Sequence, residues 1–413
     1  MARLVRGSYE ANLGNVGAFL PDRVPLDGLP LVFSPFASAC AELAFRYAAE
    51  SGGVRRWLAR EFRRDDPRVT SAVARLTSGE RETLMTALSV LGHTYRWDRV
   101  PPVAERFAEH RISLPPGIAG PWTALARSCD QPRVGTMWSL HLCNWKKEGT
   151  PGGASYRPAE LSGDTLRVAH NWLLPPFDLH LERFSLSFVL LEAKGATVVE
   201  HLVEVVEAAA ACDVDSGITS LERLHVSINA MTLAFSALVR PRTVDPAIWR
   251  DLVQPTFAWS AETDEPGRIE GGPSGMQLPT IQAIDAALGV RGSSGLAKLA
   301  RAGRRYMPRP HRRFLRALDL TGPIVRDFVV QAGVEELTEQ FNRCVRSLSS
   351  FRSTHQARGC TYLRDRAPTA AVRASTGLTI GIDDDAVATF EATMAERTAE
   401  TDAASLASVG HLP

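Results

Sequence analysis

Arg352 and His355 stand one helical turn apart in "SSFRSTHQARG" (349–359), on a strip that otherwise carries apolar residues. Counting back from His355, the apolar positions are Phe351, Leu348, Cys344, Phe341 and Leu337. Their spacings of 4, 3, 4, 3 and 4 are the seam of a buried amphipathic helix. His355 therefore occupies a leucine's place. A buried neutral imidazole can donate one ring N–H to a carbonyl and stay in the core. It can also be a metal ligand, with heme iron a candidate in a helical protein. Arg352 points from the same side of the helix, and a buried guanidinium needs an anion. Asp285, in "LPTIQAIDAALG" beside Ile281, Ile284 and Leu288, is one such anion, and a heme propionate is another.

The elements that must hold these groups are helices. "TSGERETLMTALSVLGHTYRW" (77–97) opens with Thr77 and Glu80 in capping-box spacing and lines up Leu84, Leu88, Leu91 and Tyr95. A long helix is predicted over 181–210, through Phe184, Phe188, Leu191 and Glu192. "LTEQFNRCVRSLSSFRSTH" makes a third. Alternating strand patterns are scarce, so the expected class is all-α. Pro- and Gly-rich breaks fall at 112–121, 150–153 and 262–279, with a further loop at 364–385. They suggest a small N-terminal helical domain (1–115) and a large one (116–413) with a mobile loop at about 362–385, loops of this length often being functional lids.

Composition narrows the class. The 413 residues are 45% hydrophobic and 23% charged, ordinary for a globular protein. A net charge of +1 argues against nucleic acid or an anionic membrane as the main partner. Lysine occurs only at 146, 147, 194 and 298, an arginine bias expected of a GC-rich, bacterial gene. Six cysteines without C-x-x-C spacing predict neither a disulfide framework nor structural zinc. The N-terminus lacks a secretory core and no apolar run reaches spanning length, so a soluble, cytoplasmic protein is expected.

"CNWKKEG" (143–149), "GRRYMPRPHRRFL" (303–315) and "SFRSTHQ" (350–356) resemble signature segments of the indoleamine 2,3-dioxygenase family. "GGPSGMQLPTIQAIDAALGV" resembles its Gly-Gly loop and following helix, and "GAFLPD" and "SVLGHTYRW" its N-terminal part. The resemblance runs in order over nearly the whole chain. It implies an all-helical fold holding heme b, and insertion of both atoms of O₂ across the C2–C3 bond of an indole. It also implies a reductant that keeps the iron ferrous, and a monomer or dimer.

Carried over, His355 becomes the proximal iron ligand, and Arg352 with Asp285 the ion pair beside a propionate. Gly272 and Ser274 fall at the cofactor's edge and Gly271 at the substrate's. Phe184 matches the aromatic residue that stacks on the indole. Four residues later the family often has serine, and tryptophan 2,3-dioxygenases have histidine; here Phe188 leaves no polar base. The bland alternative makes Phe184 and Phe188 plain core residues. Met137 and His141 are one turn apart in "MWSLHLCNW", and His141 stands where relatives carry an aliphatic residue. It either lines the cavity as a third catalytic candidate or caps a neighbouring carbonyl.

In "DPAIWRDLVQPTFAW" (245–259) Trp249 matches a pocket aromatic, but Val253 or Gln254 falls where tryptophan-cleaving relatives carry a carboxylate-binding arginine. The loop "STGLT" keeps Thr376 and Gly377 as substrate contacts. The expected substrate is therefore a tryptophan derivative or related indole rather than unmodified L-tryptophan. Two alternatives stand: a different oxidation or rearrangement of a tryptophan derivative in specialised metabolism, and a non-catalytic heme sensor.

Overall fold

The computed structural model describes residues 2–407, apart from 15, 49–52, 101–105, 107–108, 110, 263–268, 322, 365–370, 374–378 and 383. The fold is all-α. Six helices position the site: α1 (Ser78–Trp97), α2 (Asp178–Ala211), α3 (Val214–Leu238), α4 (Pro279–Ala287), α5 (Glu335–Leu363) and α6 (Asp384–Asp402). Strand among the described residues is confined to three short antiparallel ribbons, pairing 145–147 with 166–168, 260–262 with 269–271, and 371–373 with 379–382. The last ribbon and the start of α6 fall inside the stretch read as one loop.

Local signals explain where these helices start and stop. Thr77 and Glu80 close the capping box of α1: Thr77 Oγ1 accepts from the Glu80 N–H at 3.3 Å, and the Glu80 carboxylate accepts from the Thr77 N–H at 2.8 Å. The long helix α2 ends at Cys212, a left-handed residue at φ 54°. Asp213 then caps α3 by accepting from the Ser216 N–H at 3.1 Å. That tight turn folds α3 back on α2, α5 packs on α3, and α6 closes over α5.

One contiguous apolar core runs from Val5 to Ala404. Polar stitches join α1 to the later chain across it, the Trp97 indole N–H donating to the Ala258 carbonyl at 3.0 Å. Gly195 brings α4 close to α2, because a Cβ there would stand 2.5 Å from Thr280 Oγ1. No helix among the described residues is long and apolar enough to cross a membrane.

Candidate functional site

On α5 the imidazole of His355 lies between Phe235 of α3 (ring centroids 5.8 Å) and Phe390 of α6 (6.0 Å). Gly359, one turn on, admits Phe390, since a Cβ there would come within 2.5 Å of that ring. Among the described residues no hydrogen bond reaches a His355 ring nitrogen. The residue is half-buried, and the surrounding protein desolvates the ring and pushes its pKa down to about 4, so the imidazole is neutral with a lone pair to offer.

Arg352 is 4% exposed and donates through Nη2 to Asp285 Oδ1 at 2.5 Å, while its Nη1 is buried with no partner. The second oxygen of Asp285 accepts from Arg397 Nη2 of α6 at 2.5 Å. Arg397 Nη1 in turn donates to Glu400 Oε2 at 2.8 Å, and Glu400 accepts from the Ser294 N–H and hydroxyl, both at 2.7 Å. Burial disfavours the Glu400 carboxylate, but the hydrogen bonds from Ser294 and Arg397 outweigh it and hold the pKa at about 2. With both oxygens of Asp285 taken by arginines, Arg352 keeps one buried cationic N–H for a further anion.

A second cluster surrounds His141, which sits in a π-helical turn (Trp138–Leu142) and is 2% exposed. Its ring meets Phe257 at 4.4 Å, Phe188 at 4.8 Å and Phe184 at 5.9 Å. Phe184 and Phe188 are half-buried on one face of α2 and contact each other at 5.1 Å. Trp249 opens a second π-helical turn (Trp249–Val253), touches Phe184 at 6.0 Å, and buries an indole N–H that finds no partner. Its other neighbour is Tyr362 of α5 at 5.3 Å, two turns beyond His355, with its hydroxyl donating to the Val244 carbonyl at 2.8 Å. Burial, with His93 nearby, pushes the His141 pKa down to about 3.

Two buried residues hold this cage. His93 of α1 donates from Nδ1 to the Thr256 carbonyl at 3.3 Å and accepts at Nε2 from the Gly135 N–H at 3.1 Å, joining the approaches to both π-helical turns. Gln277 accepts from the Met137 N–H at 2.9 Å and donates to the Gly272 carbonyl at 3.0 Å, tying the Gly-Gly loop to the His141 turn. The Gly271 N–H donates to the Tyr306 hydroxyl at 3.2 Å, and Ser274 Oγ caps the Met276 N–H at 3.3 Å.

The structure thus brings Met137, His141, Phe184, Phe188 and Trp249 to one place and attaches Gly271, Gly272 and Ser274 to it. His355, Arg352 and Asp285 form the companion cluster. Gln254 is buried at the head of the short helix Gln254–Phe257, while Arg250 forms a two-pronged pair with Asp251 at 2.7 and 2.9 Å. Thr376 and Gly377 lie outside the described residues. Arg397, Phe390, Tyr362, Phe257, Gln277 and His93 were not anticipated. Only Tyr362, seven residues beyond His355 on one helix, had a readable signal.

The indoleamine 2,3-dioxygenase family model matches residues 10–405. The chain belongs to that family. Human indoleamine 2,3-dioxygenase 2 is 26% identical over 314 residues, 72% of this chain and 71% of the relative. Mouse indoleamine 2,3-dioxygenase 1 is 27% identical over 295 residues, 67% of each chain, and the yeast enzyme 26% over 311, covering 67% and 64%. Enzymes of the indoleamine 2,3-dioxygenase family are heme-dependent oxidoreductases that use dioxygen, and this is the class of the chain. The donor set fits the cofactor: a neutral imidazole lies one turn from a buried guanidinium, and among the described residues neither the His355 ring nor the Arg352 Nη1 has a hydrogen-bond partner.

The two clusters are linked through Glu192, which shares the α2 face of Phe184 and Phe188. Its carboxyl accepts from Thr280 Oγ1 at 2.5 Å and from the Thr280 N–H at 3.4 Å, at the head of the helix that carries Asp285. Burial raises its pKa from the ordinary 4.5 to about 7, so the folded protein holds a proton that the unfolded chain releases. Stability from this group is full below about pH 4.5 and falls as pH rises toward 7. Glu192→Gln removes that slope. The variant should gain on the order of 1–3 kcal/mol relative to wild type between pH 5 and pH 8 in denaturant melts. Parallel pH profiles for the two proteins would show that Glu192 is ionised throughout.

Proposed function

We propose that the protein opens the C2–C3 bond of an indole with dioxygen, leaving both oxygen atoms in an N-formyl, ring-opened product. The observation that carries this reading is the buried, unpaired N–H of Arg352 one turn from the unpartnered imidazole of His355, close to an aromatic cage. In this reading His355 would hold the iron, and Arg352, locked by Asp285, would hydrogen-bond a propionate. The heme supplies activation of dioxygen. Phe184 stacks the indole, Phe188 and Phe257 exclude water, and Trp249 closes the side next to Tyr362. Gly271 and Gly272 form the floor that Gln277 keeps against Met137. A bound heme would need a separate reductant to stay ferrous, and residues 1–115 form the unit whose His93 holds the cage shut.

The substrate in this reading lacks a demanding carboxylate. Val253 and Gln254 occupy the stretch where an arginine anchor would stand, and Arg250 is engaged with Asp251. A pocket that never paired the carboxylate loses little when it is absent, whereas an arginine pocket would be left with a buried unpaired cation. The kcat/KM of a neutral 3-substituted indole over that of L-tryptophan should therefore be near or above one. Gln254→Arg should move the ratio toward tryptophan by roughly tenfold, the scale of a charge-assisted contact. A wild-type preference for L-tryptophan by orders of magnitude contradicts this specificity.

A further inference from the structure

The cage contains a polar ring with nothing to bind. None of the hydrogen bonds among the described residues reaches either ring nitrogen of His141, and its Nδ1 is buried. Its ring neighbours Phe257, Phe188 and Phe184 present only carbon. A buried nitrogen without a partner costs stability, and an aliphatic side chain would fill the same space without that cost. Such a group gains its partner when a ligand enters.

The geometry limits what that partner is. The imidazole stands at 83° to Phe184, the face on which a flat substrate would stack. A substrate parallel to Phe184 would therefore stand perpendicular to the imidazole and could not stack on it, which leaves a hydrogen bond to a polar group as the contact open to a ring nitrogen. A neutral imidazole offers one N–H and one lone pair. A ring hydroxyl both donates and accepts, so it satisfies whichever nitrogen faces it. An indole N–H satisfies the lone pair alone, and a methyl or halogen satisfies neither.

We infer that His141 makes the pocket selective for an indole bearing a hydroxyl on its six-membered ring, which exchanges a hydrogen bond with the imidazole. This rests on the proposed function and names the substrate class of the same site. The hydroxyl does not take part in the ring opening; it adds an edge contact to the stacking on Phe184.

The test is equilibrium binding of 3-methylindole, its positional ring-hydroxy isomers and their methyl ethers to the heme-loaded protein, read from the absorption spectrum. One hydroxy isomer should bind about tenfold tighter than the parent, the scale of one buried hydrogen bond, and its methyl ether should lose that gain. In His141→Leu the preference should fall to within about twofold, with the parent bound at least as well as by wild type. No preferred isomer in wild type, or a preference that survives in His141→Leu, overturns the inference. If the variant does not take up heme, the methyl ethers decide it on wild type: ethers that bind as tightly as the hydroxy compounds overturn it. Product analysis of the same compounds separates the two readings. A His141-dependent preference without ring opening sinks the dioxygenase and spares the contact; ring opening without the preference does the reverse.

Discussion

His355→Ala should leave a protein that no longer retains heme, or retains it only when imidazole is added to the buffer. The expectation follows from what surrounds the ring. Phe235 and Phe390 flank it and neither can ligate iron, and no group of three or more His, Cys, Asp or Glu among the described residues could substitute. Truncation to alanine leaves a space shaped for an imidazole, so the free base can enter and restore the bond. The readout is the Soret band of purified protein together with its response to carbon monoxide. His141→Ala is the matched control, since it should keep wild-type heme content. A wild-type Soret band in His355→Ala would refute the ligand assignment, and heme loss in His141→Ala alongside it would mean that the proximal and distal sides have been exchanged.

The second large effect is expected at Asp285. Arg352 and Arg397, whose side chains are 5% and 10% exposed, both rest on this one carboxylate. Asp285→Leu removes the shared anion and leaves two buried cations facing each other, with Glu400 hydrogen-bonded to Arg397 and acting on Arg352 only through space. Breaking a buried pair from one side costs about 3–5 kcal/mol. The loss should appear in urea melts of heme-free protein, where no propionate competes, and should be larger than that of Arg352→Leu, which removes a cation and leaves Asp285 paired with Arg397. Heme-loaded Asp285→Leu should also release heme faster, because Arg352 is no longer held in place. A cost below about 1 kcal/mol would show that water or a rearranged Glu400 compensates the arginines.

How much of this could be read from the sequence depends on the range of each interaction. The α5 seam, the α1 capping box and the shared face of Phe184 and Phe188 are local periodicities, and each stands where its pattern placed it. The Arg352–Asp285 pair spans 67 positions, and resemblance as well as charge logic pointed to it. Arg397 was invisible for a physical reason: in "MAERTAETD" it reads as one charge on a solvated helix, and only the closure of α6 over α5 buries it. Phe390 was hidden likewise.

In the stretch 245–259 one residue fewer than the family pattern left Val253 and Gln254 unranked, and Trp249–Val253 is π-helical. An i→i+5 turn shifts every later side chain relative to an α-helical count. Phe257 therefore entered the cage unannounced. His93 and Gln277 were missed because their partners are backbone groups distant in the sequence, which no side-chain pattern reveals.

The central claim is that this protein is a heme dioxygenase acting on an indole ring. It is tested most directly by supplying ¹⁸O₂ to the reduced, heme-loaded protein with a neutral 3-substituted indole and weighing the product. The account predicts an N-formyl, ring-opened product in which both inserted oxygen atoms carry the label. A product with one labelled atom, or an indole returned intact while the reduced protein is oxidised, would contradict it.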